Sequence, residues 1–260
     1  MGPIILSDNK HNNLFSNDVF KIGDKVNRNV LISCDHGLMI VNRFDRNQSG
    51  VGHSQWLLDH GNASTVESHH CYQRIKNIQS PIIFDVGANI GTFTTWMSRA
   101  FPNGKIFSFE PQRSVFQILC GNVAINNLYN VYTHQCAIGD QNSIIEVDEP
   151  NYFGNEDYGT FSLVDRVVKN VTDQKLIVEV KTIDWIMDFY SIPRVDLIKI
   201  DVEGMDLSVL EGARQMIERF HPCIFIEHFD YRVSILKELE SFLDQYEYKY
   251  NIIENNLITL

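Results

Sequence analysis

The 260-residue sequence lacks the features that mark several large classes of protein. It contains no apolar run long enough to span a bilayer, and no signal-peptide pattern at its start. It also contains no run of Lys or Arg, and its formal net charge of −11 is a poor electrostatic match for phosphate backbones. We therefore expect no membrane span and no nucleic-acid partner.

Cysteine is scarce and scattered. The five cysteines are odd in number and form no Cys-x-x-Cys pair. This distribution fits reduced thiols in a cytoplasmic protein better than a disulfide framework. Four histidines lie near Cys71 without the usual zinc-ligand spacing, so we predict surface or hydrogen-bonded histidines there.

A regular pattern is present from about residue 80 onward. PIIFDV, KIFSFE, VYTHQCAI, VDLIKIDV and PCIFIEHF predict strands, and GTFTTWMSRAF, SVFQILCGNVAINN, TIDWIMDFYSI, MDLSVLEGARQMIERF and VSILKELESFLDQY predict helices. Thr182 or Asp184 can cap the third of these helices. Such alternation is typical of a doubly wound, mostly parallel sheet. The final YKYNIIENNLITL predicts a hairpin that adds antiparallel strands.

Two segments depart from this alternation. In residues 139–181, SIIEVDE, GTFSLVD and KLIVEVK predict strands with no helix between them, which indicates an antiparallel insertion. Residues 151–162 within it suit a lid over a sugar ring and an ordinary surface loop equally well. Residues 1–71 form a predicted N-terminal cap, with a hairpin in VLISCDHGLMIVN and two short helices in HSQWLLDHGNASTVESHHCYQRI. Residues 72–260 form the main domain.

The stretch DVGANIGTF joins the first predicted strand to the first helix. Gly87 and Gly91 permit a tight turn and the close approach of a ligand, and the helix N-terminus offers free amides to a negative group. Glu110 lies about 20 residues past the start of this loop, where doubly wound folds bind ribose hydroxyls. The loop lacks the third glycine of G-x-G-x-x-G, and Asp85 is acidic. This pattern favours S-adenosylmethionine, which has a ribose and an amino-acid end, over a dinucleotide.

Six motifs in order resemble the FkbM family of S-adenosylmethionine-dependent methyltransferases: DVGANIGTF, FSFEP, NVAINNL, AIGD, TIDW and IKIDVEGMDLSVLEGA. The resemblance runs from about residue 71 to the last residue. It implies an α/β class I methyltransferase fold, which is a Rossmann-like, doubly wound, mostly parallel seven-stranded sheet with an antiparallel C-terminal hairpin. It also implies O-methylation of a hydroxyl, often on a sugar or a polyketide-like product.

The resemblance implies a role for each motif. Cofactor-binding residues would follow three strands: Asp85, Gly87, Ala88, Asn89, Gly91, Thr92 and Phe93 after the first, Glu110 and Pro111 after the second, and Ala137, Ile138 and Asp140 after the third. Glu110 would hold the ribose hydroxyls, and the last three residues would border the adenine. Asp201, which is also a predicted cofactor-binding residue, and Glu203 would lie beside the methyl group and the acceptor.

A sugar hydroxyl must lose its proton as it attacks, and general-base help is worth typically ~10²–10⁴-fold. The catalytic candidates lie at the ends of the fourth and fifth predicted strands and are Lys199, Asp201, Glu203, Glu227 and His228. Asp201 and His228 are alternative bases. The carboxylates and the imidazole could instead hold Mg²⁺ or Mn²⁺, which would acidify the hydroxyl. In the cap, His53, Trp56 and Glu67 are candidates to cover the substrate.

Two other functions remain as alternatives. One is a non-catalytic S-adenosylmethionine-binding module, against which the joint presence of the loop, Glu110 and IKIDVEG argues. The other is a nucleotide-dependent oxidoreductase on a related fold, against which the missing third glycine argues. We predict a methyltransferase that acts on a small-molecule or glycan acceptor.

Overall fold

A computed structural model describes residues 21–22, 25–26, 28–46, 49, 52–163, 170–227, 233–253 and 256–259. The strands are β1 (Lys21–Ile22), β2 (Lys25–Val26), β3 (Asn29–Cys34), β4 (Gly37–Asn42), β5 (Ile82–Val86), β6 (Lys105–Phe109), β7 (Val131–His134), β8 (Ala137–Ile138), β9 (Ser143–Pro150), β10 (Val171–Lys181), β11 (Leu197–Ile200), β12 (Cys223–Glu227), β13 (Tyr250–Ile253) and β14 (Asn256–Thr259). The helices are α1 (His53–His60), α2 (Thr65–Ile75), α3 (Thr92–Ala100), α4 (Arg113–Ile125), α5 (Ile183–Phe189), α6 (Asp206–Glu211), α7 (Arg214–Phe220) and α8 (Val233–Gln245), with a 3₁₀ helix at Tyr158–Thr160.

The central sheet has seven strands in the order β13-β14-β12-β11-β5-β6-β7. The five strands from β12 to β7 are parallel, and β14 runs antiparallel to both β12 and β13. The chain leaves β5 toward β6 and β7, and then returns to place β11 and β12 on the other side of β5. This confirms the predicted class I methyltransferase fold. It also puts the reversal of strand order between β5 and β11, where such sheets bind ligands.

The buried strand β5 shows how the core is built. Ile82, Phe84 and Val86 join one apolar cluster, while Ile83 joins another cluster that contains Phe93 of α3. Successive side chains of a strand point to opposite faces, so the run PIIFDV fills the core on both sides of the sheet.

Two predicted strands are wrong in detail. VYTHQCAI divides into β7, on the edge of the central sheet, and β8, which pairs with β10 in a separate three-stranded sheet. Between them Cys136 turns into the core. GTFSLVD is not a strand over its described residues, because the Asp157 carboxylate accepts a hydrogen bond from Gly159 N–H (3.1 Å) and starts the 3₁₀ helix.

The predicted helix MDLSVLEGARQMIERF is two helices, α6 and α7, which are separated at Gly212. A Cβ at Gly212 would lie 2.0 Å from the Gly139 carbonyl oxygen, so glycine allows the insertion to approach here. Thr182 caps α5 through Trp185 N–H (3.0 Å). Asp184 instead accepts hydrogen bonds from the first turn of α7, at Gln215 N–H (3.0 Å) and Met216 N–H (2.9 Å).

The described part of the predicted cap contains the hairpin β3–β4, helix α1 and the start of helix α2, which continues to Ile75. Met39, Val41 and Leu57 of the cap share an apolar cluster with Ile90 and Val115 of the main domain. The described part of the cap therefore packs directly on the loop that follows β5. Across the described ranges, no helix combines the length and apolar character needed to cross a membrane.

Candidate active site

The loop between β5 and α3 is fixed to the backbone of its neighbours. Gly87 and Gly91 have φ of 82° and 90°, and a Cβ on Gly87 would lie 1.8 Å from the Asp201 carbonyl oxygen. Both Gly87 N–H and Ala88 N–H donate to the Phe109 carbonyl, at 3.0 and 2.9 Å. Only glycine satisfies these constraints at position 87, so the turn joins the carboxyl ends of β5, β6 and β11.

Glu110 lies immediately after β6 and is 4% exposed. Its carboxylate accepts hydrogen bonds from Asn89 N–H at 3.0 Å and Gln112 N–H at 2.8 Å. Burial raises the pKa of Glu110 to about 7, although these two hydrogen bonds act in the opposite direction. Asn89 reaches Glu110 through a left-handed backbone with φ of 50°, which is uncommon outside glycine.

An open cleft lies at these strand ends. Eight of the predicted site residues line it: Gly87, Asn89, Glu110, Pro111, Ala137, Ile138, Asp201 and Glu203. The structure therefore brings together residues from all three predicted cofactor motifs and from IKIDVEG.

The other predicted residues lie around the cleft. Asp85, Ala88, Thr92 and Phe93 are buried behind the loop, and Gly91 packs against the Leu119 side chain. Asp140 is exposed and accepts a hydrogen bond from Ser208 Oγ at 3.1 Å. His228 lies outside the described residues.

The insertion supplies one wall of the cleft, through Gly159, Phe161 and Leu163. The aromatic and glycine content of residues 151–162 predicts either a lid or a surface loop, and it is the sequence signal that points to this wall. Gln112 fixes this wall, because its side-chain amide donates to the Tyr158 carbonyl at 2.9 Å. Sequence reasoning did not single out Gln112 or Met205, which also line the cleft.

Lys199 is buried between two carboxylates. Its Nζ lies 2.9 Å from Asp201 Oδ2 and 3.6 Å from Asp85 Oδ1, and it donates to the Gly87 carbonyl at 3.3 Å. Burial alone would lower the pKa of Lys199, but Asp201 and Asp85 raise it by more, so the amine stays charged. Burial raises the pKa of Asp85, and the Lys199 charge opposes this rise.

Glu227 and Asp201 are neighbours at the ends of β12 and β11, because Ile226 pairs with Ile200 in register. The Asp201 charge, and then burial, raise the pKa of Glu227 to about 8. Glu227 therefore keeps its proton in most molecules near neutral pH. Glu203, which follows Asp201 by two residues, has φ of 51° in the turn that ends the motif.

The cap reaches the site through His53. His53 Nε2 lies 2.9 Å from Thr92 Oγ1, at the start of α3. Trp56 is 51% exposed and stacks on His60, with ring centroids 4.0 Å apart. Burial lowers the pKa of His53, and the Glu67 charge opposes this weakly; the Asp201 charge raises the pKa of Glu227, and the Glu67 charge adds to this weakly.

Within the described ranges, no group of three or more His, Cys, Asp or Glu side chains is arranged to hold a metal ion. The Lys199 ammonium supplies the positive charge between Asp85 and Asp201. The hypothesis of a bound Mg²⁺ or Mn²⁺ therefore gains no support from these residues.

Comparisons with known proteins agree with this geometry. Methyltransferase sdnD of Sordaria araneosa is 32% identical, across 55% of this chain and 64% of its own length. Methyltransferase 1 of Beauveria bassiana (strain ARSEF 2860) is 30% identical, across 65% of this chain and 68% of its own length. The match thus spans less than two thirds of the first of these relatives.

Among solved structures, Methyltransferase FkbM from Methylobacillus flagellatus KT shares the fold. Its TM-score is 0.52 at 19% identity, and the alignment covers 70% of this chain and 44% of that one. The Methyltransferase FkbM domain family matches residues 85–250. The chain therefore belongs to the family of proteins with a methyltransferase FkbM domain.

Proposed function

We propose that the chain is an S-adenosylmethionine-dependent O-methyltransferase that acts on a hydroxyl of a sugar, glycan or glycosylated small molecule. The observation that carries this proposal is the buried carboxylate of Glu110, which faces an open cleft beside the glycine loop and Asp201. Family membership supports the methyl donor. The net charge of −11 supports a small-molecule acceptor over a nucleic acid. The five free thiols support a cytoplasmic location.

The residues of the cleft suit the parts of S-adenosylmethionine. Glu110 would accept hydrogen bonds from the ribose hydroxyls, since each carboxylate oxygen keeps a lone pair beyond its bond to a backbone N–H. Ala137 and Ile138 would border the adenine with apolar surface. The free N–H groups at the start of α3 would receive the carboxylate of the amino-acid end. When bound, the cofactor supplies an electrophilic methyl group.

The carboxyl pair of Asp201 and Glu227 is the proposed general base. One of these two carboxylates accepts the proton of the acceptor hydroxyl, while Lys199 holds Asp201 in place through the 2.9 Å ion pair. The carboxylates also accept hydrogen bonds from neighbouring hydroxyls, which suits an acceptor rich in them. His228 remains the alternative base, one residue beyond β12.

The first experiment is thermal unfolding with S-adenosylmethionine, S-adenosylhomocysteine and NAD in parallel, with and without Mg²⁺. We expect both sulfur compounds to raise the Tm, because a ligand at 100 times its Kd stabilises the folded state by about 2.7 kcal/mol. A rise with NAD alone would favour the oxidoreductase alternative. No rise with either sulfur compound would contradict the proposed function.

The second experiment concerns the base. We expect Asp201→Asn and Glu227→Gln to leave the Kd of S-adenosylhomocysteine within about threefold and to lower turnover by ~10²–10⁴-fold, the usual contribution of a general base. Turnover is measured as transfer of a labelled methyl group to a panel of sugars and glycosides. The exposed Asp188→Asn on α5 is the matched control. If Asp201→Asn and Glu227→Gln both keep full turnover, the base lies elsewhere, and His228→Ala becomes the next variant.

A further inference from the structure

Two side chains of the cap meet at the hydroxyl of Thr92. Thr92 Oγ1, at the first position of α3, lies 2.9 Å from His53 Nε2 of α1 and 3.1 Å from Ser64 Oγ, which immediately precedes α2. Thr92 itself is buried. The cap therefore makes polar contact with the first residue of α3, the helix whose first N–H groups the proposed function assigns to the amino-acid end of the cofactor.

The backbone on both sides of this contact is tightly held. Ser64 has φ of 52°, a left-handed conformation that costs of order 1–3 kcal/mol outside glycine and persists where the surroundings enforce it. Asp45 accepts hydrogen bonds from Ser54 N–H at 2.8 Å and from Tyr158 N–H at 3.0 Å. Asp45 is buried, so it fixes the start of α1, and with it His53, against the insertion.

The charges around His53 favour a neutral ring that is held in place. Burial lowers the pKa of His53, and the Lys199 charge lowers it further. Asp45, Asp201 and Glu67 act in the opposite direction. A neutral imidazole can form one hydrogen bond with the Thr92 hydroxyl. The charges of Asp201 and Lys199, at the proposed transfer site, also act on this ring.

We propose that His53 is a positioning residue for the methyl donor. Through Thr92 it fixes the first turn of α3, so that the free N–H groups there are already oriented for the carboxylate of the cofactor. Residues of the cap would thus contribute to cofactor affinity, although the matched family domain begins only at residue 85. This inference rests on the proposed function.

A double-mutant cycle tests the proposed positioning role of His53. S-adenosylhomocysteine is the probe, and isothermal titration calorimetry measures its Kd. We expect His53→Ala and Thr92→Val each to raise the Kd about tenfold, and the double variant to raise it no further, because both changes remove the same contact. His53→Gln, whose amide can still reach Thr92, should bind within about threefold of the wild type. His60→Ala, on the exposed side of the same helix, is the matched control and should not change the Kd.

Hydrogen exchange without ligand gives a second readout. We expect faster exchange of the amides at the start of α3 in His53→Ala and Thr92→Val, and no change there in His60→Ala. If His53→Ala does not fold, His53→Leu, which fills the space but cannot hydrogen-bond Thr92, takes its place in the cycle and should raise the Kd in the same way.

The outcomes separate the two proposals. If the wild type and His53→Ala bind S-adenosylhomocysteine equally well, the inference is wrong and the proposed function stands. The same conclusion follows if the changes in Kd caused by His53→Ala and Thr92→Val simply add in the double variant. If the wild type binds neither sulfur compound, the proposed function fails and the inference fails with it.

Discussion

At the scale of single residues, Glu110 combines burial with a role that requires its charge. Two backbone N–H groups hold the carboxylate, yet burial raises its pKa to about 7. The protein without ligand therefore carries a partly protonated Glu110 at neutral pH. Ribose hydroxyls donate best to the ionised form, so cofactor binding and proton release are linked at this residue.

We predict that the affinity for S-adenosylhomocysteine rises with pH through about 7. The folded pKa is raised, so below it Glu110 must lose a proton before it can accept both hydroxyls. The Kd at pH 6 should then be roughly tenfold higher than at pH 8, since one pH unit below the pKa leaves about a tenth of the groups ionised. Titration calorimetry in two buffers of different ionisation enthalpy would also detect the released proton.

The matched variant for this prediction is Glu110→Gln, which cannot ionise. It should bind more weakly than the wild type at pH 8, and its Kd should change little between pH 6 and pH 8. A wild-type Kd that is equally independent of pH would show that the carboxylate does not hold the ribose.

At the scale of elements, the sequence predicts the central sheet well because its signals are local. PIIFDV and VDLIKIDV are short apolar runs that both end in Asp-Val. The loops that follow them carry glycine or acidic residues. These signals place Glu110 and Asp201 at strand ends that the parallel sheet then brings to one edge.

The errors occur where a distant contact decides the structure. Within MDLSVLEGARQMIERF the only local signal for the break is Gly212 itself, and the contact that requires a glycine there is with the Gly139 carbonyl, 73 positions earlier in the chain. His53 and Phe161 reach the site for the same kind of reason. Each belongs to a segment without a motif, and each is placed by packing between the cap, the insertion and the loop after β5.

At the scale of the whole molecule, Asn122 of α4 joins the cap to the cofactor loop. Its side chain accepts a hydrogen bond from Ile40 N–H at 2.6 Å and donates to the carbonyls of Ile40 at 3.1 Å and Ile90 at 2.8 Å. It is fully buried. Asn122 of α4 therefore links the hairpin β3–β4 by hydrogen bonds to the loop that contains Gly87 and Gly91. The hairpin and this loop also share an apolar cluster.

We predict that Asn122→Ala lowers the stability of the whole chain and not of the cap alone. The variant leaves the half-buried Ile40 N–H and two carbonyls without this partner, and one such unsatisfied group costs up to about 1–3 kcal/mol. We expect a single calorimetric transition whose Tm falls by roughly 2–12 °C, since each kcal/mol lowers the Tm by about 2–4 °C in a chain of this size. Asn126→Ala is the control, because Asn126 makes similar bonds to Leu38 N–H and carbonyl at the solvent-exposed end of the same contact, where water can replace them. Two separate transitions in the wild type, or a loss confined to the cap in Asn122→Ala, would show that the cap folds as an independent unit.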